Sequence, residues 1–219
     1  MARRILSLVI LMALSPAAFA LEEPPVPRID GARIIMVIAS RQFRDEELLQ
    51  PREIFLKQGA QVKVASSSMA EAQGMLGAKF KPEILITDVK PEQFDALIFV
   101  GGAGAAEYWD SRVAHTLAKK AFEQKKVVAA ICIAPVTLAR AGLLKGRKAT
   151  VWKSEAAKLK DAGATYTGKP VQADGRIVTA DGPKSAKPFA VAVLMAIARN
   201  KKLEGSDLKR QQDEQERSN

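Results

Sequence analysis

Cysteine and histidine are scarce in this chain, which has one of each, Cys132 and His115, among 219 residues. A single cysteine excludes an internal disulfide, and one cysteine with one histidine excludes a zinc site built from the usual ligands. We therefore predict no metal and no cofactor. His115 lies two turns into a predicted helix, roughly 10 Å from the strand ends, and we interpret it as a surface or packing residue. No Ser–His–Asp triad or Cys–His pair is predicted within the chain.

The sequence also lacks an apolar run long enough for a membrane span, which needs about 20 residues. Its apolar run at 5–14 follows two arginines and precedes an A-x-A motif at 18–20. These features are typical of a secretory signal peptide. We predict that residues 1–20 are removed after Ala20, leaving a periplasmic or secreted protein without stable membrane insertion. An uncleaved membrane anchor is the alternative.

A concentrated basic stripe is missing as well, although the net charge is +10. The 34 lysines and arginines are spread along the chain, and aromatic residues make up only 5% of it. Nucleic-acid-binding domains show a clustered basic surface or a known motif. We therefore predict no nucleic-acid partner and interpret the excess charge as solvated surface.

Buried-strand patterns alternate with helical patterns between residues 33 and 200. Strands are predicted at 33–40, 61–65, 83–87, 95–100, 127–131 and 148–152, with a hairpin at 171–180. This alternation is typical of a single-domain α/β protein with a doubly wound, mostly parallel sheet flanked by helices, a flavodoxin-like three-layer sandwich. Residues 21–32, which contain three prolines, are predicted to form a stiff linker, and the charged residues 201–219 a disordered tail.

Cys132 follows the apolar run 127–131 and precedes Pro135, which suits the first turn of a helix. In open α/β sheets, ligands bind where a strand hands over to the next helix. The positive end of the helix dipole is expected there to lower the pKa of the thiol. The alternative is a buried core cysteine. Export favours the reactive interpretation, because an unused thiol is a liability in an oxidising compartment.

The segment Gly101-Gly102-Ala103-Gly104 directly follows the predicted strand at 95–100. A dinucleotide-binding motif is excluded because Glu107 stands where its third glycine is required. Two interpretations stay open. The segment is either a bare turn whose N–H groups bind an oxyanion, or a tight turn that requires positive φ.

Glu47 ends a run of three acidic residues, 45–47, at a predicted helix start. Acids at that position ordinarily complement the helix dipole on a solvated face. Alternatively, one of them points inward, where a carboxylic acid can hydrogen-bond a sulfur and favour the thiolate while staying protonated itself.

Several segments together resemble the ThiJ/PfpI superfamily, which has a class I glutamine amidotransferase-like fold and includes PfpI-type proteases and the parkinsonism-associated deglycase. The segments are RIIMVIAS, DEELLQP, DALIFVGGAGA, VVAAICIAPVTLARAGLLKGRKAT and IVTADGP. The resemblance implies that Cys132 is an elbow nucleophile in a strained backbone conformation and that Glu47 is the acid contacting its thiol. It also implies an oxyanion site formed by the backbone of Gly101 and Gly102, with the Ile133 N–H as a further donor, and a homodimer or larger homo-oligomer.

Two positions depart from that family pattern. Ile133 stands where PfpI-type proteases have a histidine after the cysteine, and Trp152 stands where other members have a histidine or tyrosine. Neither side chain can move a proton, and general-base catalysis typically contributes about 100- to 10,000-fold. A protease is therefore disfavoured. We predict a glyoxalase- or deglycase-like hydrolase or lyase acting on small reactive carbonyls, with Trp152 lining its pocket. The alternative is a redox-responsive protein whose cysteine is oxidised without turnover.

Overall fold

The structure, a computed structural model, describes residues 26–217 of the chain. The strands are β1 (Arg33–Ile38), β2 (Arg41–Phe43), β3 (Gln61–Ser66), β4 (Ala72–Gly74), β5 (Lys79–Phe80), β6 (Ile84–Leu85), β7 (Ala96–Phe99), β8 (Val127–Ile131), β9 (Lys148–Ala149), β10 (Thr165–Tyr166), β11 (Val171–Asp174) and β12 (Ile177–Ala180). The helices are α1 (Asp45–Lys57), α2 (Arg112–Glu123), α3 (Pro135–Arg140), α4 (Ala156–Asp161) and α5 (Ala186–Arg217). The predicted signal peptide, 1–20, lies outside the described residues.

Seven of the strands form one central sheet in the order β11-β12-β8-β7-β1-β3-β6. All neighbouring pairs are parallel except β11 with β12, which form the predicted hairpin. The central strands β7 and β8 are completely buried, as their continuous apolar sequences predict for a sheet covered on both faces. The predicted fold class is confirmed.

The two faces of the sheet have separate cores, because successive side chains of a strand point in opposite directions. In β1, Ile34 and Met36 pack on the side of α1 and α5, whereas Ile35 and Val37 pack on the side of α2, α3 and α4. Each fully buried side chain of this size contributes about 1.5–3 kcal/mol through the hydrophobic effect. Both cores reach the carboxyl end of β8, since Ile131 belongs to the first and Ala130 to the second.

Two small sheets lie outside the central one. Strands β2, β4 and β5 form one of them, and β9 pairs with β10 in the other. The predicted strand at 148–152 is therefore shortened to Lys148–Ala149 and does not join the central sheet. The β2 strand follows β1 directly and lies over the glycine turn after β7. Its Gln42 has a positive φ of 56°.

The predicted boundary between the linker and the domain is wrong at the end of the linker. Ile29 is only 4% exposed and Ala32 is completely buried, and both belong to the core on the α1 side. The Ile29 N–H donates to the Gln58 carbonyl at 2.8 Å, just after α1. The domain therefore begins by Ile29, because one apolar side chain and its backbone bond fix the segment that follows the prolines.

The predicted disordered tail is helical in the structure, since α5 continues from the core to Arg217. Extending an existing helix avoids the unfavourable nucleation step, and the lysines, glutamates and glutamines of the tail are good helix formers. Local pairs support the extension, such as Arg210 with Asp207 at 2.9 Å. Within residues 26–217, no helix combines the length and apolar character needed to cross a bilayer.

Candidate active site

Cys132 lies at the carboxyl end of β8 with a positive φ of 63°, in the left-handed region that non-glycine residues rarely occupy. Such a conformation costs on the order of 1–3 kcal/mol, and the surrounding structure must hold it in place. Two backbone bonds do so. The Cys132 N–H donates to the Ala180 carbonyl at 3.0 Å, and the Trp152 N–H donates to the Cys132 carbonyl at 2.8 Å. The elbow is therefore tied to the last residue of β12 and to the segment after β9.

The three acids at the start of α1 have three different roles. Asp45 accepts hydrogen bonds from the backbone N–H groups of Leu76 and Ala78, at 2.9 and 2.7 Å, and so fixes the β4–β5 turn. Glu46 forms an ion pair with Arg44 at 2.8 Å. Asp45 is buried against that turn, whereas Glu47 is completely buried and is the acid that meets the cysteine. The structure thus resolves the two interpretations of the acidic run in favour of an inward carboxyl group at Glu47.

Glu47 meets the glycine turn and the cysteine with the same carboxyl group. The Gly101 N–H donates to Glu47 Oε2 at 3.0 Å, and the carboxyl group also interacts with the Cys132 thiol. Oε1 is buried without a hydrogen-bond partner among the described residues. Burial raises the pKa of Glu47 to about 8, against the opposing effects of the thiol and the Gly101 N–H. Glu47 is therefore mainly a neutral acid at pH 7.

The pKa of Cys132 is raised to about 12, first by burial and then by the negative charge of Glu47. The N–H groups of Gly102 and Ile133, which lie near the sulfur, act in the opposite direction. The expectation that the helix dipole lowers this pKa is wrong. Helix α3 has only six residues, and Cys132 as a whole is only 8% exposed, so desolvation of the thiolate outweighs the dipole.

The glycine turn has no room for side chains. A Cβ at Gly101 would lie 2.4 Å from both Glu47 Oε2 and Cys132 Cβ, and one at Gly102 would lie 2.3 Å from the Gln42 carbonyl oxygen. Gly102 also has a positive φ of 99°. The structure confirms a tight turn that requires both bare backbone and positive φ, and the binding of an oxyanion by its N–H groups stays a prediction.

The predicted oxyanion site requires one correction. The Gly101 N–H is already donated to Glu47, so Gly101 positions the acid instead of serving as an oxyanion donor. The N–H groups of Gly102 and Ile133 are the two that face the sulfur. A carbonyl oxygen attached to a carbon bonded to that sulfur would lie within reach of these donors.

Trp109 is a site residue that the sequence reasoning missed. Its indole Nε1–H donates to the Ile133 carbonyl at 3.1 Å and so holds the residue after the elbow in place. The guanidinium of Arg140 and the ammonium of Lys158 lie 5.5 and 5.1 Å from the Trp109 ring. His115 Nε2 lies 2.8 Å from the Trp109 carbonyl oxygen, which gives the histidine a packing role next to this tryptophan. The sequence offered one weak indication of this role, namely that Trp109 is an aromatic residue that follows the glycine turn closely.

Trp152 combines a fixed backbone with an exposed side chain. Its N–H is bonded to Cys132, as described above, while its side chain stays 47% exposed. Together with Tyr166 it lines a cavity of about 480 Å³. Among residues 26–217, no group of histidine, cysteine, aspartate and glutamate side chains has the number and proximity needed to hold a metal ion.

Comparison with known proteins places these features in a family. The profile of the DJ-1/PfpI family matches residues 32–196. An uncharacterised protein of Methanocaldococcus jannaschii is 45% identical over 173 residues, 78% of this chain and 84% of that protein. Deglycase PfpI of Pyrococcus furiosus is 32% identical, covering 68% of this chain and 90% of the deglycase.

Other relatives differ in the activity that their names state. A glutathione-independent glyoxalase of Caenorhabditis elegans is 26% identical, over 73% of this chain and 86% of the glyoxalase. A putative cysteine protease of Bacillus subtilis is 33% identical, over 71% and 92% of the two chains. The crystal structure of a ThiJ/PfpI domain protein from Brachyspira murdochii superposes with a TM-score of 0.76 at 33% identity, covering 78% of this chain and 98% of that one. The chain belongs to the DJ-1/PfpI family.

Proposed function

We propose that this protein is a cysteine-dependent enzyme that acts on small reactive carbonyl compounds, with α-oxoaldehydes such as methylglyoxal as representative substrates. One observation carries the proposal. The sulfur of Cys132 meets a buried carboxyl group, Glu47, and two backbone N–H donors, those of Gly102 and Ile133. A nucleophile, a proton carrier and an oxyanion site are the three components that addition to a carbonyl group requires.

The first step is addition of the thiol to the aldehyde. Ionised Glu47 accepts the thiol proton while the sulfur of Cys132 forms a bond to the carbonyl carbon. The carbonyl oxygen develops negative charge between the Gly102 and Ile133 N–H groups and then takes the proton from Glu47. The product is a hemithioacetal. A carboxyl group whose pKa is raised to about 8 suits this task, because it can accept and return a proton near neutral pH.

The later steps of α-oxoaldehyde conversion need no external oxidant. Glu47 transfers the hydrogen of the former aldehyde carbon, as a proton, to the neighbouring carbon by way of an enediol. The first carbon is thereby oxidised to a thioester and the second reduced to an alcohol. Water then cleaves the thioester, which releases a 2-hydroxy acid and regenerates the thiol.

Amide hydrolysis is disfavoured by the same site. Amide cleavage requires more acid–base help than addition to an aldehyde, and Ile133 and Trp152, at the positions where the family pattern has a base, add none to Glu47. His115 is engaged at the Trp109 carbonyl. The relatives named deglycase and glyoxalase support carbonyl chemistry, and the one named a putative cysteine protease is the reason to measure amide hydrolysis alongside it.

The experiment is a methylglyoxal-consumption assay on the purified protein and on Cys132→Ser and Cys132→Ala. We expect the wild type to consume methylglyoxal with formation of a 2-hydroxy acid, and both variants to lose activity by at least about 1,000-fold, since neither has the thiol. Glu92→Gln, at an exposed position, is the control for handling and purity. Equal rates for wild type and Cys132→Ala, or inertness of the wild type across a panel of aldehydes, would overturn the proposal.

The second candidate function is a redox-responsive protein. Its supporting observation is that the only thiol of the chain has two N–H donors beside it, which can also bind the oxygens of a sulfinate. Intact mass spectrometry after graded peroxide treatment tests it. Selective addition of two oxygens at Cys132, without turnover of any aldehyde, would favour this function over the enzyme.

We further propose that the protein works outside the cytoplasm and as a homo-oligomer. Support for export is the sequence pattern of residues 1–20, and support for assembly is the family resemblance together with exposed apolar side chains on α1, Leu49 and Leu56. N-terminal sequencing of the protein from a cell envelope fraction tests the first proposal, and light scattering of the pure protein tests the second. A retained residue 1 or a monomeric mass would contradict them.

A further inference from the structure

An aromatic-walled cavity of about 480 Å³ lies beside the elbow, within the size range of small-molecule sites. Its lining includes Val151, Trp152, Tyr166, Gly182 and Pro183. Cys132 is not itself a lining residue; one backbone bond joins it to the lining directly, and a second joins it to a chain neighbour of the lining. The Trp152 N–H donates to the Cys132 carbonyl at 2.8 Å, and the Cys132 N–H donates to the Ala180 carbonyl at 3.0 Å, two residues before Gly182.

The Trp152 indole is braced on one side and open on the other. A Cβ at Gly182 would lie 2.8 Å from indole Cε3, so the bare backbone of Gly182 packs directly against the ring. Even so, 47% of the residue is exposed, a large exposed area for a tryptophan held this close to a reactive group. A rigid, exposed aromatic face of this kind is a stacking surface for another ring.

Both charged and apolar side chains line the cavity, and the charged ones are directed to other partners or to solvent. Asp181 accepts a hydrogen bond from Ser185 Oγ at 2.5 Å, and Lys153 and Lys184, which also line the cavity, are exposed to solvent. The walls themselves are the indole, the phenol ring of Tyr166, and the apolar side chains of Val151 and Pro183. The chemistry of the lining therefore matches an apolar, planar group more closely than a charged one.

We infer that this cavity binds the substituent of the substrate and selects reactive carbonyls that carry an aromatic ring. The ring stacks on Trp152 while the carbonyl carbon reaches the sulfur of Cys132. This inference rests on the proposed function for its kinetic test, but the binding of the ring does not depend on turnover. Trp152 thus determines which substrates bind, although its side chain cannot act as a base.

The kinetic test compares phenylglyoxal with methylglyoxal in the wild type, Trp152→Ala, Trp152→Leu and Trp152→Phe. We expect the ratio of kcat/KM for phenylglyoxal to that for methylglyoxal to fall roughly tenfold in Trp152→Ala and Trp152→Leu, because the stacking face and its apolar area are lost. Trp152→Phe keeps an aromatic face and retains most of the ratio. Leu203→Ala, an exposed apolar side chain on the distant part of α5, is the matched control.

A binding test separates failure of the cavity from failure of the enzyme. Saturation-transfer NMR with acetophenone, and with acetone as the small comparator, needs no reaction at Cys132. We expect acetophenone to bind the wild type and Trp152→Phe, and its signal to be lost in Trp152→Ala and Trp152→Leu. Thermal melts identify any variant that does not fold. Acetophenone binding is then compared among the variants that do fold.

The outcomes are distinct. If neither aldehyde is consumed, the proposed function fails, and loss of acetophenone binding on truncation of Trp152 still supports the cavity. If both aldehydes are consumed but their ratio is the same in the wild type and Trp152→Ala, the inference about Trp152 is overturned and the proposed function stands. Equal acetophenone binding by the wild type and Trp152→Ala would overturn the inference about Trp152, whether or not the aldehydes are consumed.

Discussion

The N–H of Gly101 donates a hydrogen bond to Glu47 Oε2 at 3.0 Å, and the carboxyl group bonded in this way lies against the thiol of Cys132. The glycine turn therefore positions the acid as well as lining the site. This bond links β7, α1 and the elbow after β8, so the placement of the proton carrier depends on backbone geometry at a position that tolerates no side chain.

Replacing Gly101 by alanine is expected to disrupt both stability and activity. The new Cβ would lie 2.4 Å from Glu47 Oε2 and 2.8 Å from the Ile131 carbonyl oxygen, and neither the buried acid nor the strand has space to move. We expect Gly101→Ala to lower the free energy of unfolding by about 1–3 kcal/mol. Displacement of Glu47 is expected to lower kcat/KM for methylglyoxal by roughly 100-fold. Urea unfolding and the aldehyde assay measure the two effects.

The control for that substitution is Gly205→Ala, because a Cβ at Gly205 meets no atom within 4 Å among residues 26–217. It is expected to change the free energy of unfolding by less than about 1 kcal/mol. If Gly101→Ala were as stable and as active as Gly205→Ala, the bond between Gly101 and Glu47 would not position the acid.

Glu47 is expected to make the protein less stable as the pH rises. Burial raises its pKa from 4.5 in the unfolded chain to about 8 in the folded protein. Between these values the unfolded state loses the proton and the folded state keeps it, so the free energy of unfolding falls with rising pH and levels off above pH 8. Relative to Glu47→Gln, which cannot titrate, the wild type should lose roughly 3–5 kcal/mol between pH 4.5 and 8.5.

Denaturant unfolding of the wild type, Glu47→Gln and Glu92→Gln over this pH range provides the measurement. Glu92 is exposed, so Glu92→Gln controls for loss of one negative charge and should follow the wild type. Parallel stability curves for the wild type and Glu47→Gln would show that Glu47 is ionised in the folded protein at neutral pH.

The backbone at the elbow is expected to favour glycine over any other residue that lacks the thiol. Cys132 has a φ of 63°, where a Cβ is unfavourable by about 1–2 kcal/mol and glycine is not. We therefore expect Cys132→Gly to be more stable than Cys132→Ala by about 1 kcal/mol in urea unfolding. Lys125, with a φ of 60°, offers the matched comparison of Lys125→Gly with Lys125→Ala. A more stable Cys132→Ala would mean that the elbow is not strained.

The distal part of α5 is expected to be helical but dispensable for the fold. Side chains described between residues 201 and 216 are exposed, so this segment adds nothing to either core. A chain that ends at Gly205 should keep its melting temperature within about 2 °C. Its far-UV circular dichroism should lose the helical signal of residues 206–217. If the helical circular dichroism per molecule is unchanged by the truncation, residues 206–217 are not helical, as composition alone predicts.

The parts of the fold that follow from local pattern could be predicted from the sequence. The continuous apolar runs of β1, β7 and β8 predict buried parallel strands, and the position of Cys132 between a strand and Pro135 predicts the elbow. The end of the linker was missed because a single apolar residue, Ile29, gives no periodic signal. The tail was missed because its composition describes an isolated segment and not the continuation of a packed helix.

The sequence named Cys132 and Glu47, which the structure brings together, but it did not indicate Trp109 or the electrostatics of the pair. Which of three adjacent acids meets the cysteine depends on the rotation of α1 against the sheet, and that rotation is set by tertiary packing. The same is true of the Gly101 N–H, whose partner lies 54 positions away in the chain. The helix dipole suggested a lowered thiol pKa, whereas the depth of burial, which no local pattern encodes, raises it.

The pH dependence of kcat/KM for methylglyoxal, measured on the wild type and on Glu47→Gln, tests the central claim most directly. If Glu47 accepts the proton of Cys132 during addition, the wild-type value rises with pH up to an apparent pKa of about 8 and then levels off. Glu47→Gln should be at least about 100-fold slower and lack that rise. A wild-type profile without an inflection near this pH, or a Glu47→Gln variant with wild-type activity, would contradict the account.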